Sequence, residues 1–361
     1  MARRTVDQME DSAMLEIAQK RGQLIARLFT EGFPSIWCPP LTHYTEDGNI
    51  DFERMNQHLD FLSLHINSFL MPGSTGDGWE LTFDEFKEIV DFAVSLCKNR
   101  KNIRVLIGLL RLEIDGMKTC LNYVVKCFKE DNVKVKADDY EVSGFKGFVI
   151  CPPKGKDLSE ERMKGEMEGI ISLGYPMVLY QLPQVTENEM SPDLVHYFTQ
   201  RYHYCFMMKD SSGADQVALA DKDYGGLILV RGAEGNYSRM LKKSGGRYDG
   251  FLLSTGNSFP EELSTIIQCV EEGSQSDADA LSERLSKAVN EVFRLASSLP
   301  VGNAFTNSNK LIDHIKAFGS RWRKKKPPRL HSGHFLPKEM LERVEEILNK
   351  HNLYPSQGYL D

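Results

Sequence analysis

One lysine lies where an apolar run gives way to a polar turn. Residues 205–209 are apolar up to Lys209, and Asp210-Ser211-Ser212-Gly213 follows them. A short apolar run bounded by such a turn is typical of a buried strand. Burial at a strand end disfavours the ammonium form of a lysine, and the neutral amine can condense with a carbonyl group to form a Schiff base. The alternative is a structural lysine whose side chain extends from the strand end into water.

A hydroxyl-rich turn and a tyrosine follow two other apolar runs. Ser74 and Thr75 lie in a Gly-Ser-Thr-Gly turn, whose backbone N–H groups and hydroxyls suit a carboxylate. Tyr180 ends an apolar run, and its hydroxyl can pass a proton to or from a substrate. Each also has a structural interpretation, as a β–α loop with a capping hydroxyl and as a tyrosine that reaches water. Together with Lys209 they would supply an anion cradle, a proton relay and a nucleophile.

The elements that must position these residues alternate along the chain. Eight strands are predicted at residues 34–38, 68–71, 104–108, 147–151, 177–180, 205–209, 227–230 and 250–253. Helices are predicted between most of them, at residues 52–64, 82–97, 115–128, 160–173 and 192–202. Such alternation implies parallel pairing through right-handed crossovers, and eight units predict an α/β protein with a (β/α)8 TIM barrel. The alternative, an open doubly wound sheet, lacks its glycine fingerprint after the first strand.

Three segments are predicted from this pattern. Residues 1–31 form an N-terminal helical extension, residues 32–260 the catalytic barrel, and residues 261–361 a C-terminal helical layer. The helices of the outer segments are expected at residues 14–29, 263–272, 278–295, 310–318 and 337–351. The charged residues 129–143 are predicted to form a surface insertion between the third helix and the fourth strand.

Four short motifs follow one another in a fixed order along the chain. They are G-S-T-G-D-G-W-E-L-T, Y-Q-L-P, M-K-D-S-S-G and G-F-L-L-S-T-G-N, preceded by P-P-L-T-H-Y-T-E-D-G-N-I-D. Together they resemble the N-acetylneuraminate lyase and dihydrodipicolinate synthase superfamily. The resemblance covers nearly all of the chain beyond the N-terminal extension. It implies a class I aldolase that acts on a pyruvate-type 2-oxo acid, forms a homo-oligomer (a tetramer or dimer) and needs no cofactor or metal. Gly250 and Ser254, at the two ends of G-F-L-L-S, are assigned to substrate binding.

The resemblance also implies roles for the residues singled out above. Lys209 matches the Schiff-base lysine, and Tyr180 matches the tyrosine of the superfamily's Y-N-x-P motif. Ser74 and Thr75 match the hydroxyl pair that holds the oxo-acid carboxylate, and Ser74 joins the proton relay. The catalytic residues are therefore predicted to be Lys209, Tyr180 and Ser74, with no metal ligand.

The chain departs from the superfamily pattern at four positions. Gln181 replaces the asparagine of Y-N-x-P, and Asp77 replaces the usual glutamate of the Gly-Ser-Thr-Gly turn. Val185 stands where dihydrodipicolinate synthases carry an arginine for a second carboxylate, and valine cannot make that bidentate pair. Lys154 falls where the second relay tyrosine is expected. These changes argue against the lysine-biosynthetic reaction.

Three functions stay open on the sequence alone. The first is a lyase or aldolase that cleaves or forms a carbon–carbon bond next to the 2-oxo group. The second keeps the imine but eliminates water from a sugar acid, or condenses substrates as dihydrodipicolinate synthase does. The third is a barrel that binds small acids without turnover, which the altered Y-Q-L-P motif and Lys154 favour.

The net charge and the cysteine pattern of the chain argue against several classes of protein. The 361 residues carry a net charge of −7, which argues against general affinity for nucleic acid or an anionic membrane. The basic residues 321–326 are predicted to form a solvated loop. The seven cysteines lack C-x-x-C pairs, which predicts reduced thiols in a cytoplasmic protein. Neither a membrane span nor a signal peptide is predicted.

Overall fold

The computed structural model describes residues 6–141 and 143–361, with side chains from residue 14 onward. Its strands are β1 (Ile36–Trp37), β2 (Ser68–Leu70), β3 (Arg104–Gly108), β4 (Phe145–Ile150), β5 (Met177–Gln181), β6 (Cys205–Asp210), β7 (Ile228–Arg231) and β8 (Gly250–Leu252). The helices are α1 (Val6–Leu28), α2 (Phe52–Leu62), α3 (Phe83–Asn99), α4 (Ile114–Glu130), α5 (Glu160–Ile171), α6 (Pro183–Thr186), α7 (Pro192–Arg201), α8 (Gln216–Leu219), α9 (Tyr237–Met240), α10 (Pro260–Glu272), α11 (Gln275–Ala296), α12 (Ala304–Phe318) and α13 (Lys338–Lys350).

The eight strands belong to one sheet with the order β1-β8-β7-β6-β5-β4-β3-β2. The registered pairs run parallel. A parallel bridge between Cys38 and Phe69 joins the two ends of this order, because Cys38 follows β1 and Phe69 lies in β2. The fold is therefore a (β/α)8 barrel with additional C-terminal helices, as predicted. Each predicted strand is present within two residues of its expected bounds.

One C-terminal helix, α12, is longer than predicted because its first turns are polar. The last long helices were predicted, but α12 begins at Ala304 rather than at residue 310. Asn303 caps its start by accepting a hydrogen bond from the backbone N–H of Thr306 at 2.7 Å. The first turns of α12 bury polar side chains, including Asn307 and Asn309, so no apolar stripe marks them.

Two compact units divide the chain. The first comprises residues 1–34, 93–233 and 247–250, and the second comprises residues 35–92, 234–246 and 251–361. The first therefore holds β3 to β7, and the second holds β1 and β2 with helices α10 to α13. The predicted segments 1–31, 32–260 and 261–361 stay a prediction.

Helix α1 packs into the core of the first unit. The Arg21 side chain is 0% exposed and donates hydrogen bonds to five backbone carbonyl groups. The five acceptors are Thr199, Tyr202, Cys205, Tyr224 and Gly225. Leu24 and Leu28 are buried beside it. Because Cys205 opens β6, the arginine ties this helix to the start of the strand that carries Lys209.

The segment 129–143 is a packed surface segment within the same unit. Its charged residues beyond α4 are exposed, as predicted, but Val135, Ala137 and Tyr140 are buried. Arg27 of α1 donates to the carbonyl group of Ala137 at 2.9 Å, and the Tyr140 hydroxyl donates to the carbonyl group of Phe145. Position 142 lies outside the described residues.

The basic segment near the C-terminus differs from its prediction. The basic residues 321–326 are not simply a loop, because Gly319–Lys324 forms a 3-10 helix with Trp322 buried. The Trp322 indole is buried and holds this turn, while its basic neighbours stay exposed.

All seven cysteines are free thiols, as predicted. No helix in the described part of the chain has both the length and the apolarity that a membrane crossing requires.

Candidate active site

Lys209 and Tyr180 lie side by side on neighbouring strands. They are in register between β6 and β5. The Lys209 Nζ atom is 4.0 Å from the centroid of the Tyr180 ring. Lys209 is 4% exposed and Tyr180 is 1% exposed, so the lysine is more deeply buried than a half-exposed strand end. The strand also continues one residue further, to Asp210. This contact joins the predicted nucleophile to the predicted proton relay.

The aliphatic part of the Lys209 side chain packs against the backbone at Gly232, which has no side chain. A Cβ atom at Gly232 would lie 2.7 Å from Lys209 Cε and 2.0 Å from Ser211 Oγ, so only glycine fits at this position. Cys151 follows β4 and is fully buried. Burial raises the pKa of its thiol, and the positive charge of Lys209 opposes that shift. Gly232 and Cys151 were not identified from the sequence, because neither residue type signals a catalytic role alone.

The next registered pair between β5 and β6 consists of two polar residues, each with a side-chain atom that forms no hydrogen bond within the described residues. Gln181 lies opposite Asp210, and both are buried. Gln181 Oε1 accepts from the backbone N–H of Met190 at 2.8 Å, and Asp210 Oδ1 accepts from that of Ser212 at 2.9 Å. Within the described residues, Gln181 Nε2 and Asp210 Oδ2 have no hydrogen-bond partner. Burial raises the pKa of Asp210. The glutamine of Y-Q-L-P therefore holds the loop that ends at Met190.

Two basic residues, one at the end of β7 and one after β4, form ion pairs within the first unit. Arg231 Nε is 3.3 Å from Asp215 Oδ1, which also accepts a hydrogen bond from the Tyr248 hydroxyl at 2.6 Å. Lys154 Nζ is 3.1 Å from a carboxylate oxygen of Glu187, and the lysine side chain is 40% exposed. Lys154 thus forms a surface ion pair in this structure, whereas Arg231 is buried against its partner.

The Gly-Ser-Thr-Gly turn of the second unit is a 3-10 turn after β2, spanning Ser74–Gly76. The indole N–H of Trp79 donates to Ser74 Oγ at 2.8 Å. The Thr306 hydroxyl of α12 donates to the carbonyl group of Thr75 at 3.0 Å. The first bond uses the Ser74 hydroxyl as an acceptor and orients it within the turn.

Asp77 anchors the end of this turn. It adopts a left-handed conformation with φ of 58°. Its Oδ2 atom accepts from the Tyr44 hydroxyl at 3.0 Å and from Lys310 Nζ at 3.1 Å. Lys310 is almost fully buried and lies 4.5 Å from the centroid of the Tyr44 ring. The aspartate that replaces the expected glutamate is therefore part of a buried ion pair, which sequence spacing did not reveal.

The two predicted substrate-binding residues near β8 differ in their positions. Gly250 is the first residue of the strand, so only its backbone is available to a ligand. Ser254 follows the strand, and its hydroxyl donates to Glu234 Oε1 at 2.6 Å. Asn257 is fully buried, and its amide bonds to the backbone of Leu41 among others. Ser254 and Asn257 therefore use their polar atoms to hold the structure.

Comparison with known proteins agrees with this arrangement. The family model described as the dihydrodipicolinate synthetase family matches residues 130–309. The 4-hydroxy-tetrahydrodipicolinate synthase of Methanococcus aeolicus is 23% identical over 279 residues, which are 77% of this chain and 88% of the relative. The enzyme of the same name from Lactococcus lactis subsp. cremoris is 20% identical over 278 residues, 76% of this chain and 87% of the relative. The family model and these relatives show that the chain resembles the N-acetylneuraminate lyase and dihydrodipicolinate synthase superfamily.

Solved structures of the superfamily share the fold. YagE, a prophage protein of E. coli K12 in complex with pyruvate, superposes with a TM-score of 0.68 at 20% identity and covers 89% of this chain and 99% of its own. KD(P)GA from T. tenax gives a TM-score of 0.67 at 18% identity, with 88% and 99% covered. These structures share the (β/α)8 fold, and the family model and the curated relatives confirm the resemblance that the short motifs indicated.

Proposed function

We propose that this protein is a class I aldolase or lyase that forms an imine with a pyruvate-type 2-oxo acid and cleaves or forms the adjacent carbon–carbon bond. The observation that carries the proposal is the buried pair of Lys209 and Tyr180, with Nζ 4.0 Å from the ring centroid. The relatives named as synthases and aldolases, and the fold shared with a pyruvate complex, support it.

The proposed reaction begins at Lys209. Its free amine adds to the 2-oxo carbon, and the resulting carbinolamine loses water to give a protonated imine. In the cleavage direction, Tyr180 relays the proton of the substrate's C4 hydroxyl by accepting it and giving up its own phenolic proton, which returns at C3, while the C3–C4 electron pair moves into the imine as an enamine. The aldehyde leaves, C3 of the enamine is protonated, and water hydrolyses the imine to release pyruvate. The imine itself holds the electron pair, so the reaction requires no cofactor.

The other assigned residues hold the substrate in this proposal. The backbone N–H groups of Ser74 and Thr75 bind the oxo-acid carboxylate. Ser74 assists Tyr180 in proton transfer, and the hydrogen bond that Trp79 donates to its Oγ atom orients the hydroxyl. Gly250 and Ser254 contribute backbone contacts, since Gly250 has no side chain and the Ser254 hydroxyl is engaged by Glu234.

Borohydride trapping with pyruvate tests the proposal. We expect reduction to fix pyruvate on the peptide that contains Lys209, because borohydride converts an imine into a stable amine. Lys146 provides a matched control. Burial lowers its pKa to about 8, yet it lies near the start of β4 and its Nζ donates to the carbonyl group of Ser143 at 2.6 Å. The variant K146M should still be labelled, and absence of label on the Lys209 peptide would sink the proposal.

Tyr180→Phe separates proton transfer from imine formation. The ring that faces Lys209 is kept and only the hydroxyl is lost. We expect kcat to fall by roughly 10²–10⁴-fold, the range of a lost general acid–base group. Borohydride should still trap pyruvate in this variant. A kcat within a few-fold of wild type would assign the proton relay to another residue.

The preferred reaction is cleavage of a 2-oxo sugar acid rather than dihydrodipicolinate synthase-like condensation or dehydration of a sugar acid. Val185 cannot form the bidentate pair that a second substrate carboxylate requires. Screening 2-oxo sugar acids for release of both pyruvate and an aldehyde distinguishes these reactions, because dehydration gives a 2-oxo product without an aldehyde. In the same proposal the protein is cytoplasmic and a homo-oligomer of two or four chains.

A further inference from the structure

A cavity of about 190 Å³ lies within the second unit, apart from the residues assigned to catalysis. Its walls come from α2, from α12 and from two loop segments. The basic and histidine side chains in its lining are His43, Arg54, Lys310, His314, Lys326 and Arg329. Three carboxylates, those of Glu46, Asp51 and Asp313, complete the charged lining. Four lysine or arginine side chains therefore face three acids, and one of the four, Lys310, also pairs with Asp77 outside the lining.

The acids of this cavity are already engaged by the protein. Asp313 accepts hydrogen bonds from Arg54 and from the Tyr359 hydroxyl. Asp51 caps α2 by accepting from the backbone N–H of Arg54 at 2.9 Å. Glu46 forms an exposed ion pair with Lys326. Little of the negative charge in the lining is therefore available to attract a cation.

Two arginines retain donors. Arg54 is held by Asp313 and lies over the Tyr359 ring at 5.2 Å, but its buried Nη1 atom has no hydrogen-bond partner in the described part of the chain. A buried donor without a partner destabilises the folded chain, and a bound acceptor would relieve that loss. Arg329 donates to the backbone carbonyl group of Glu46 at 2.6 Å and forms no ion pair with any described carboxylate.

Two of the histidines beside the cavity, His43 and His58, are hydrogen-bonded to each other. Burial lowers the pKa of His43 and of His58, and it lowers the pKa of His314 to about 4. His58 Nε2 lies 2.9 Å from the carbonyl oxygen of Asn257, so it carries the proton, and His58 Nδ1 accepts from His43 Nε2 at 3.2 Å.

A metal ion would have to break these bonds. His43, His58 and Asp313 bring three potential metal ligands within 4.8 Å of one another. The two nitrogens that face each other are already donor and acceptor, and the carboxylate is bonded to the Arg54 guanidinium. A guanidinium in contact with the same carboxylate repels a cation, so this lining favours an anion over a metal ion.

We propose that this cavity is a second ligand site that binds one small oxyanion, a carboxylate or a phosphate, through Arg54 and Arg329. The guanidinium nitrogens not used by Asp313 and Glu46 can donate charge-assisted hydrogen bonds to the oxygens of either anion. Lys326, at the exposed side, adds positive charge for entry of the ligand.

Calorimetric titration of the full chain tests the site, with inorganic phosphate and succinate as separate probes at constant ionic strength. We expect saturable binding of one anion per chain, and the stronger probe identifies the preferred oxyanion. Arg54→Lys keeps a cation against Asp313 but removes the second amino group, and Arg329→Gln removes the other guanidinium. Each should weaken binding about 10-fold, the effect of one lost charged hydrogen bond.

Two controls make the result specific. Lys324→Gln removes an exposed lysine of the same basic segment that does not line the cavity, and it should leave affinity unchanged. Lys209→Met should also bind the anion normally, since the cavity does not include the proposed nucleophile. Absence of saturable binding for both anions, equal weakening by Lys324→Gln, or binding of Zn²⁺ in place of either anion would overturn the proposal.

Discussion

Replacement of Lys209 by methionine is expected to abolish turnover and pyruvate trapping together. Methionine fills most of the volume of the lysine stem beside Gly232 but has no amine to form the imine. We expect kcat for pyruvate release to fall by at least about 10³-fold, as for other catalytic nucleophiles. The measurement is pyruvate release from the 2-oxo sugar acid that wild type cleaves best.

The same variant also tests the non-catalytic alternative. If the barrel only binds small acids, pyruvate should stabilise wild type and Lys209→Met against heat to the same extent, and wild type should show no turnover with any substrate of the panel. If turnover persists in Lys209→Met, the imine mechanism is wrong. Near-normal unfolding of the variant in urea is the control for folding, because a loss of structure would also remove activity.

Replacement of Arg21 by methionine is expected to lower the free energy of unfolding by about 3–5 kcal/mol, since five backbone carbonyl groups lose a buried charged donor. Urea unfolding of both proteins measures the difference. The matched control is Lys20→Gln, one residue earlier in α1. The Lys20 side chain is 51% exposed, and among the described residues its ion pair is with Glu16, so this change should leave the free energy of unfolding nearly unchanged. Equal losses in the two variants would show that Arg21 does not secure the helix.

Local pattern was sufficient to predict the strands and most long helices. Strands such as β5 and β6 are buried throughout, so nearly every residue up to Tyr180 and Lys209 is apolar and the run is visible in the sequence. The start of α12 was missed because Asn307 and its neighbours are buried polar residues without an apolar stripe. Hydrophobic periodicity detects a helix only where burial and apolarity coincide.

Such local patterns could not predict contacts between residues that are far apart in the sequence. Lys310 bonds to Asp77 across 233 positions, and neither residue appears unusual in its own segment. The motif indicated that Asp77 replaces a glutamate, but not that a buried lysine and Tyr44 hold it. The pairing of Arg54 with Asp313 was hidden in the same way, at a separation of 259 positions. Sequence resemblance could assign roles only where the superfamily motif already contained the residue.

The hydrogen bonds of Arg21 also determine how late in synthesis the first unit can complete its folding. Their acceptors lie between 178 and 204 positions later in the sequence. At typical elongation rates of about 5–20 residues per second, α1 leaves the ribosome roughly 10–40 s before its last partners are made. During that interval its guanidinium stays in water and its apolar face lacks its final packing. Completion of this unit therefore waits for the segment around Gly225, whichever of its strands pair first.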